Sequence, residues 1–296
     1  MTTAVLLSCH GTVERVDDLP GFLANIRRGR PTPPEILAEV RHRFERIGGS
    51  PLMRITRAQG DALAARLGLP VAICGRLWHP YPAEVLAPLH EAGVRHVLSL
   101  PLAPQSVHVY NASVRAAAAA FPGLEILEAP TWGLEPALLD AFVETIDEGL
   151  AQLPEEARGR AAVILSAHSL PLRVIQAGDP YEQQFRAMAG EVAERIAARG
   201  NPTRIAFQSQ GMTGDAWLGP DLPQTFAELV AAGIREALIA PIGFVADHVE
   251  TLYDLDIEAP NLARQAGIEH LARAPAVNAR PRFIDALEAI ARYCVP

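Results

Sequence analysis

Ala162-Val163-Ile164-Leu165-Ser166-Ala167-His168-Ser169-Leu170-Pro171 sets a short apolar run against a polar turn. The run is too short for a helix and lacks the alternation of a half-exposed strand. It reads as a strand buried on both faces, as found at the centre of a parallel sheet. Ligands of open α/β sheets bind outside the carboxyl ends of strands, so His168 stands where chemistry is placed. Outward from this run, similar strands are expected at 4–8, 71–74, 97–102, 125–128, 204–208 and 237–241, with helical patterns at 34–47, 56–67, 82–92, 111–120, 135–153, 181–198, 222–232 and 282–293. Strands that alternate with helices mean βαβ units. The expectation is therefore an α/β chain of two Rossmann-like domains, each a parallel sheet flanked by helices. The polar stretch Pro154-Glu155-Glu156-Ala157-Arg158-Gly159-Arg160 reads as the link, giving domains at 1–153 and 154–296 with an active site in the cleft between them. The halves share a pattern of strand, histidine-bearing turn and helix, with His10 early in one and His168 early in the other.

The chain has 296 residues, 49% of them hydrophobic and 20% charged, with a formal net charge of -8. This composition supports a real core and argues against disorder. The negative balance speaks against nucleic acid as a partner. No apolar run is long enough for a transmembrane segment. The opening MTTAVLLSCH lacks the basic region and cleavage site of a signal peptide. Cys9, Cys74 and Cys294 are odd in number and far apart, so a reducing cytoplasmic location is expected rather than a disulfide framework.

A second segment, Phe244 to Glu258, is rich in carboxylates. Glu250, Asp254 and Glu258 recur every four residues, so a helix puts them on one face. Like charges in a row destabilise a helix, and a hard or borderline cation is one reason to keep them there. A solvated acidic face is the competing reading. On the basic side, Asn25-Ile26-Arg27-Arg28-Gly29-Arg30 precedes a helix bearing Arg41, Arg43 and Arg46. Guanidinium forks suit carboxylates or phosphates. Without a Walker or GxGxxG pattern, a polycarboxylate fits better than a nucleotide. The competing reading is surface pairing with Glu35, Glu39 and Glu45. For His168 it is a packed or solvated histidine, weakened by the strand exit and the acidic segment.

The ordered set SAHSLP (166–171), GDPY (178–181), FQSQGMTGDAWLGP (207–220) and PIGFVADHVETLYDLDIE (241–258) resembles ferrochelatase, which inserts ferrous iron into a porphyrin. NIRRGR (25–30), RHRFERIGGSPL (41–52), ITRAQ (55–59), LPLAPQS (100–106) and ARPRFIDAL (279–287) agree in family order, so the resemblance covers nearly the whole chain. It implies a lyase of haem biosynthesis in which His168 faces one side of the macrocycle and Glu250 is its carboxylate partner. Asp254 and Glu258 would continue the acidic row toward the surface, completing a metal-handling set with His168 and Glu250. Trp217 would pack near the porphyrin, Tyr110 would line the pocket, and Ser50 would sit in the Ser-Pro-Leu turn of its wall. Arg27, Arg28 and Arg43 fall in the arginine region near the porphyrin carboxylates and the metal entrance.

Insertion requires two pyrrole protons to leave, the metal to shed water and a stiff ring to deform. His168 would accept a proton and Glu250 would steady the imidazolium, or the two would first bind Fe2+ and hand it over. Both orders stay open. Where many relatives carry tyrosine, methionine or a glycine pair, this chain has Cys9-His10-Gly11-Thr12. His10 would approach the opposite face of the ring and ligate iron axially, or else bond a backbone group beside the pocket. Three scattered cysteines do not repeat the four-cysteine pattern of some relatives, so no [2Fe-2S] cluster and no tightly bound cofactor are expected; Fe2+ is a substrate. The IRRGR…ERIGG pattern and the lack of an apolar lip favour coproporphyrin III, with protoporphyrin IX as the alternative. A chelatase for another tetrapyrrole such as sirohydrochlorin, and a non-catalytic tetrapyrrole or metal carrier, are the other readings. The implied partners are the porphyrin, ferrous iron and a transient haem-accepting enzyme, with the oligomeric state left open.

Overall fold

The computed structural model describes residues 2–211 and 215–295. Eight strands form two sheets. β1 (Thr2–Cys9), β2 (Val71–Gly75), β3 (Val94–Pro101) and β4 (Glu125–Glu128) pair in the order β2-β1-β3-β4. β5 (Ala162–His168), β6 (Thr203–Gln208), β7 (Glu236–Ala240) and β8 (His270–Arg273) repeat it as β6-β5-β7-β8. Every pair is parallel. In both sheets the first strand is where the order reverses, the switch point at which open sheets bind ligands. His168 ends β5, and His10 follows β1 at the matching exit. The likeness of pattern between the halves is thus a likeness of topology.

Burial follows from the sequence. Residues 162–167 of β5 are all buried, so both faces of this strand are covered. On one face Leu222, Phe226 and Leu229 of helix Leu222–Ala231 and Ala259 and Ala263 of helix Ala259–Ala266 pack over Ala162, Ile164, Ala206 and Ile239. On the other, Phe185 of helix Tyr181–Ile196 meets Phe207 of β6 at a ring separation of 5.4 Å. In the first sheet Leu86 and Val114 cover Ala4, Leu6, Cys74 and Val97.

The chain divides elsewhere than at the polar stretch. One compact unit runs to Trp132 and takes back the chain from Asn278; the other spans Gly133–Val277. The expected boundary at 153/154 is therefore corrected twice. Helix Pro136–Ala151 belongs to the second sheet, where a Cβ on Gly149 would lie 2.5 Å from Leu238 Cδ1 and 2.9 Å from Ala274 Cα. Helix Pro281–Cys294 belongs to the first unit. Its Asp285 pairs with Arg66, Phe283 lies 6.2 Å from the Trp132 ring, and Gln59 Nε2 donates to the Asn278 carbonyl at 3.0 Å. An amphipathic pattern says which helix face is apolar, not which sheet that face covers.

Candidate active site

His168 is the last residue of β5 and pairs in register with Gln208, the last of β6. Its backbone is held from the side: Tyr181 Oη donates to the His168 carbonyl at 2.9 Å. Asp179 Oδ1 in turn accepts from the Tyr181 backbone N–H at 2.9 Å, so the Gly-Asp-Pro-Tyr turn starts a helix and braces the histidine at once. The imidazole Nδ1 hydrogen-bonds the Ser169 carbonyl. A carbonyl only accepts, so Nδ1 carries a proton. Nε2 then holds the lone pair of the neutral ring, and it lies 3.4 Å from Glu250 Oε1. Some 31% of the His168 side chain is exposed, enough for a ligand to reach it.

Glu250 opens a segment, Glu250–Glu258, whose turns are wider than α-helical. It is a π-helix: the N–H of Ala259 bonds back to the Asp254 carbonyl, an i→i-5 step. The spacing of the carboxylates at 250, 254 and 258 fits one face of an α-helix, and the structure corrects the helix type. It also shows how unlike they are. Asp254 is buried and accepts from the Ser209 hydroxyl, whereas Glu250 and Glu258 are part-exposed. Gln208 links strand ends to this segment: its Oε1 accepts from Ser166 Oγ at 2.8 Å and its Nε2 donates to the Glu250 carbonyl at 3.3 Å. The second Glu250 oxygen, Oε2, lies 3.5 Å from His248 Nε2.

A carboxylate between two imidazoles has a defined electrostatic outcome. Burial opposes charge on Glu250, but His168 and His248 overcome it and hold the carboxyl well below its ordinary range. Burial likewise opposes charge on His168. The Glu250 charge and hydrogen bond, the Ser169 carbonyl and the Asp254 charge outweigh it and raise the imidazole. The surroundings of His168 favour its charged form more than water does, and its neutral form offers a lone pair next to a carboxylate. Two donor atoms 3.4 Å apart can share one first-row cation at ~2.0–2.2 Å from each. Among the described residues no group of three or more His, Cys, Asp or Glu side chains is arranged to hold a metal ion.

The other candidates are divided between the two units. Trp217 sits in the loop that bridges to Pro171, its ring against Gly211 and its Nε1 buried without a partner. In the first unit His10 is exposed, with its ring edge-on to Phe22 at 6.3 Å; Phe22 meets Trp78 at 6.0 Å. Gly11 must be glycine there, since φ is +83° and a Cβ would lie 2.9 Å from the Trp78 backbone nitrogen. Tyr110 is buried beneath the Arg76 guanidinium, 5.5 Å from its ring centre. Ser50 is part-buried with an unpartnered hydroxyl. Arg28 is exposed, and Arg27 Nε donates to the Pro31 carbonyl at 3.1 Å. Arg43 pairs with Glu39 at 2.8 Å, which is the surface-pairing reading for that arginine.

Against this geometry stand the comparisons. The family model described as ferrochelatase matches residues 2–293. The chain belongs to the ferrochelatase family. Ferrochelatase from Acidobacterium capsulatum is 36% identical, over 98% of this chain and 93% of that protein. Coproporphyrin III ferrochelatase from a Geobacillus species is 35% identical, over 97% of this chain and 96% of that protein. Among solved structures, the sirohydrochlorin chelatase SirB from Bacillus subtilis subspecies spizizenii, in complex with cobalt, superimposes with a TM-score of 0.61. It is 14% identical over 99% of this chain and 95% of that one, a likeness of fold. This member of the ferrochelatase family is thus a metal-chelating lyase that inserts ferrous iron into a porphyrin, on two parallel-sheet units. No described helix is long and apolar enough to cross a membrane.

Sequence reading left several site residues of this ferrochelatase-family chain unassigned: Tyr181, Ser166, Gln208 and His248. Each stood inside a quoted motif, but Tyr181, Ser166 and Gln208 act through backbone or through a residue far along the chain, and His248 reaches Glu250 only because the turn folds back over two residues. Gly243 is another. A Cβ there would meet Ala167 Cβ at 2.4 Å and Cα at 2.7 Å, one residue before His168. Gly243→Ala is expected to push the end of β5 and to cost about 1–3 kcal/mol of stability by overpacking. Chemical denaturation checks the cost, and slower insertion by the remaining folded protein checks the displacement of His168.

Proposed function

We propose that this chain inserts Fe2+ into coproporphyrin III, with His168 and Glu250 as the pair that takes up the pyrrole protons and passes the metal. The observation that carries the reading is the His168 Nε2–Glu250 Oε1 approach of 3.4 Å at the end of β5. With Nδ1 committed to the Ser169 carbonyl, Nε2 is the only basic atom of the ring. A proton arriving there finds a carboxylate already ionised beside it, and reorganisation is small. The same lone pair and carboxylate serve Fe2+ in a transient two-donor site. Asp254 and Glu258 continue the acidic row as the metal's approach or the protons' exit. Trp217, Tyr110, Ser50 and His10 are read as porphyrin contacts, His10 also as the axial donor to iron.

Cation supply supports a substrate with four carboxylates. Arg28 and Arg30 make no ion pair among the described residues, and the Nε of Arg76 is buried without a partner. A relative named coproporphyrin III ferrochelatase at 35% identity points the same way. No resident cofactor is invoked, and the free Cys9 and Cys74, both buried, suit a reducing cytoplasm. A haem-accepting enzyme would then receive the product.

The test is anaerobic metallation followed by absorbance, with coproporphyrin III and protoporphyrin IX in parallel. Higher kcat/KM with coproporphyrin III is expected. Faster turnover of protoporphyrin IX overturns the substrate assignment, and no acceleration with either ring overturns the pair's role.

A further inference from the structure

Glu250 sits on a π-helix, a form that survives where its surroundings hold it. The described structure shows what does so. Arg273 is the last residue of β8, its backbone fixed by pairing with Ile239 of β7, and only 15% of its side chain is exposed. Its guanidinium reaches both sides of Glu250 in sequence. Nε and Nη2 fork onto the two carboxylate oxygens of Asp256 at 2.5 and 3.0 Å, while Nη1 donates to Asp247 Oδ1 at 3.0 Å and to the Ala274 carbonyl at 3.3 Å. Asp247 passes the hold onward. Its Oδ1 accepts from Thr251 Oγ1 at 3.1 Å, and Thr251 Oγ1 accepts from the His248 backbone N–H at 3.0 Å. The turn that presents His248 and Glu250 is thereby tied at both ends to one strand terminus.

We propose that Arg273 is a positioning residue for iron insertion, clamping Asp247 and Asp256 so that Glu250 is aimed at His168. The charges are consistent with a clamp rather than with a reactive group. Asp247 is only 14% exposed, and the guanidinium sets a cation against its carboxylate beside the Thr251 hydroxyl. One point charge cannot replace the fork, because the Asp256 contact is bidentate and the Asp247 contact points elsewhere. The Arg273 hydrogen bonds go to Asp256, Asp247 and the Ala274 carbonyl, so the clamp acts on Glu250 through the segment that carries it.

The proposal rests on the role given to Glu250, and the experiment separates the two. Arg273→Lys keeps a cation and loses the fork. Asp256→Asn loosens only the outer half, where the carboxylate is 39% exposed and folding is least at risk. Both variants and Glu250→Gln are assayed with varied Fe2+ and, separately, varied porphyrin, beside thermal midpoints. The expected result is a loss of about 10-fold in kcat/KM for Fe2+ in each clamp variant, as for residues that orient metal ligands. KM for porphyrin should be unchanged and the thermal midpoints near that of the parent. Adding Asp256→Asn to Arg273→Lys should cost little more, since both open the same fork. Full activity of both clamp variants beside an impaired Glu250→Gln protein overturns the clamp alone. So does a loss that merely tracks unfolded protein or falls equally on porphyrin KM. A fully active Glu250→Gln protein overturns the role of Glu250 and the clamp with it.

Discussion

His168→Ala protein is expected to insert Fe2+ about 10²–10⁴-fold more slowly, the range for loss of a positioned general base, while porphyrin binding is largely retained. The imidazole is held by the Ser169 carbonyl at one nitrogen and faces Glu250 with the other, so its removal deletes the atom that receives a proton or the metal. Little of the fold depends on it. The contacts that brace the end of β5 are made by backbone: the His168 carbonyl accepts from Tyr181, and the Gly243 N–H donates to the Ser166 carbonyl at 2.9 Å. Fluorescence titration with the porphyrin and a thermal midpoint near the parent's will show whether only chemistry was lost. Near-parental insertion by this variant would refute the assignment.

Much of the fold was legible because each strand is a local signal. The apolar run that opens at Ala162 is the strand Ala162–His168, and the strand expected at 125–128 is Glu125–Glu128. β8 was not legible: His270–Arg273 is a four-residue edge strand with a charged end and no apolar run, and pairing with β7 is what makes it a strand. Helix Leu19–Ile26 is not legible either: it has eight residues, and its opening Leu19-Pro20-Gly21 carries turn signals. The domain boundary was missed for a different reason. Helix Pro281–Cys294 is as amphipathic as any other, and only the tertiary pairs of Arg66 and Trp132 show that it returns to the first unit. At the candidate site, strand exit, charge and family motif together single out His168 and Glu250, whose side chains lie 3.4 Å apart. Gln208, Tyr181 and Arg273 escaped because their contacts span 42, 13 and 17–26 residues, and no spacing rule reaches that far.

Glu250→Gln should slow insertion by about 10²–10³-fold, the usual cost of deleting one preorganised electrostatic partner, and its effect on His168 gives that loss a signature. Glutamine keeps the shape and the backbone bond from Gln208 but has no charge. The forces on His168 then rebalance: burial, which lowers its pKa, is opposed only by the Ser169 carbonyl and the charge of Asp254. The imidazole of the metal-free variant should therefore titrate at lower pH than in the parent, read by NMR of its ring protons, and the acid limb of the rate profile should move down with it. Stability supplies the converse. The Glu250 contribution is present above its ordinary 4.5 and lost as pH falls through the depressed folded value; that of His168 is complete below its ordinary 6.5 and lost as pH rises through the raised one. Both are in force between those two ordinary values, so Glu250→Gln should destabilise most in weak acid and progressively less as pH rises from 6.5 through the raised pKa of His168. Denaturant midpoints across that range measure it. An unmoved His168 titration, or a stability loss independent of pH, would mean that the two side chains are neighbours without being partners.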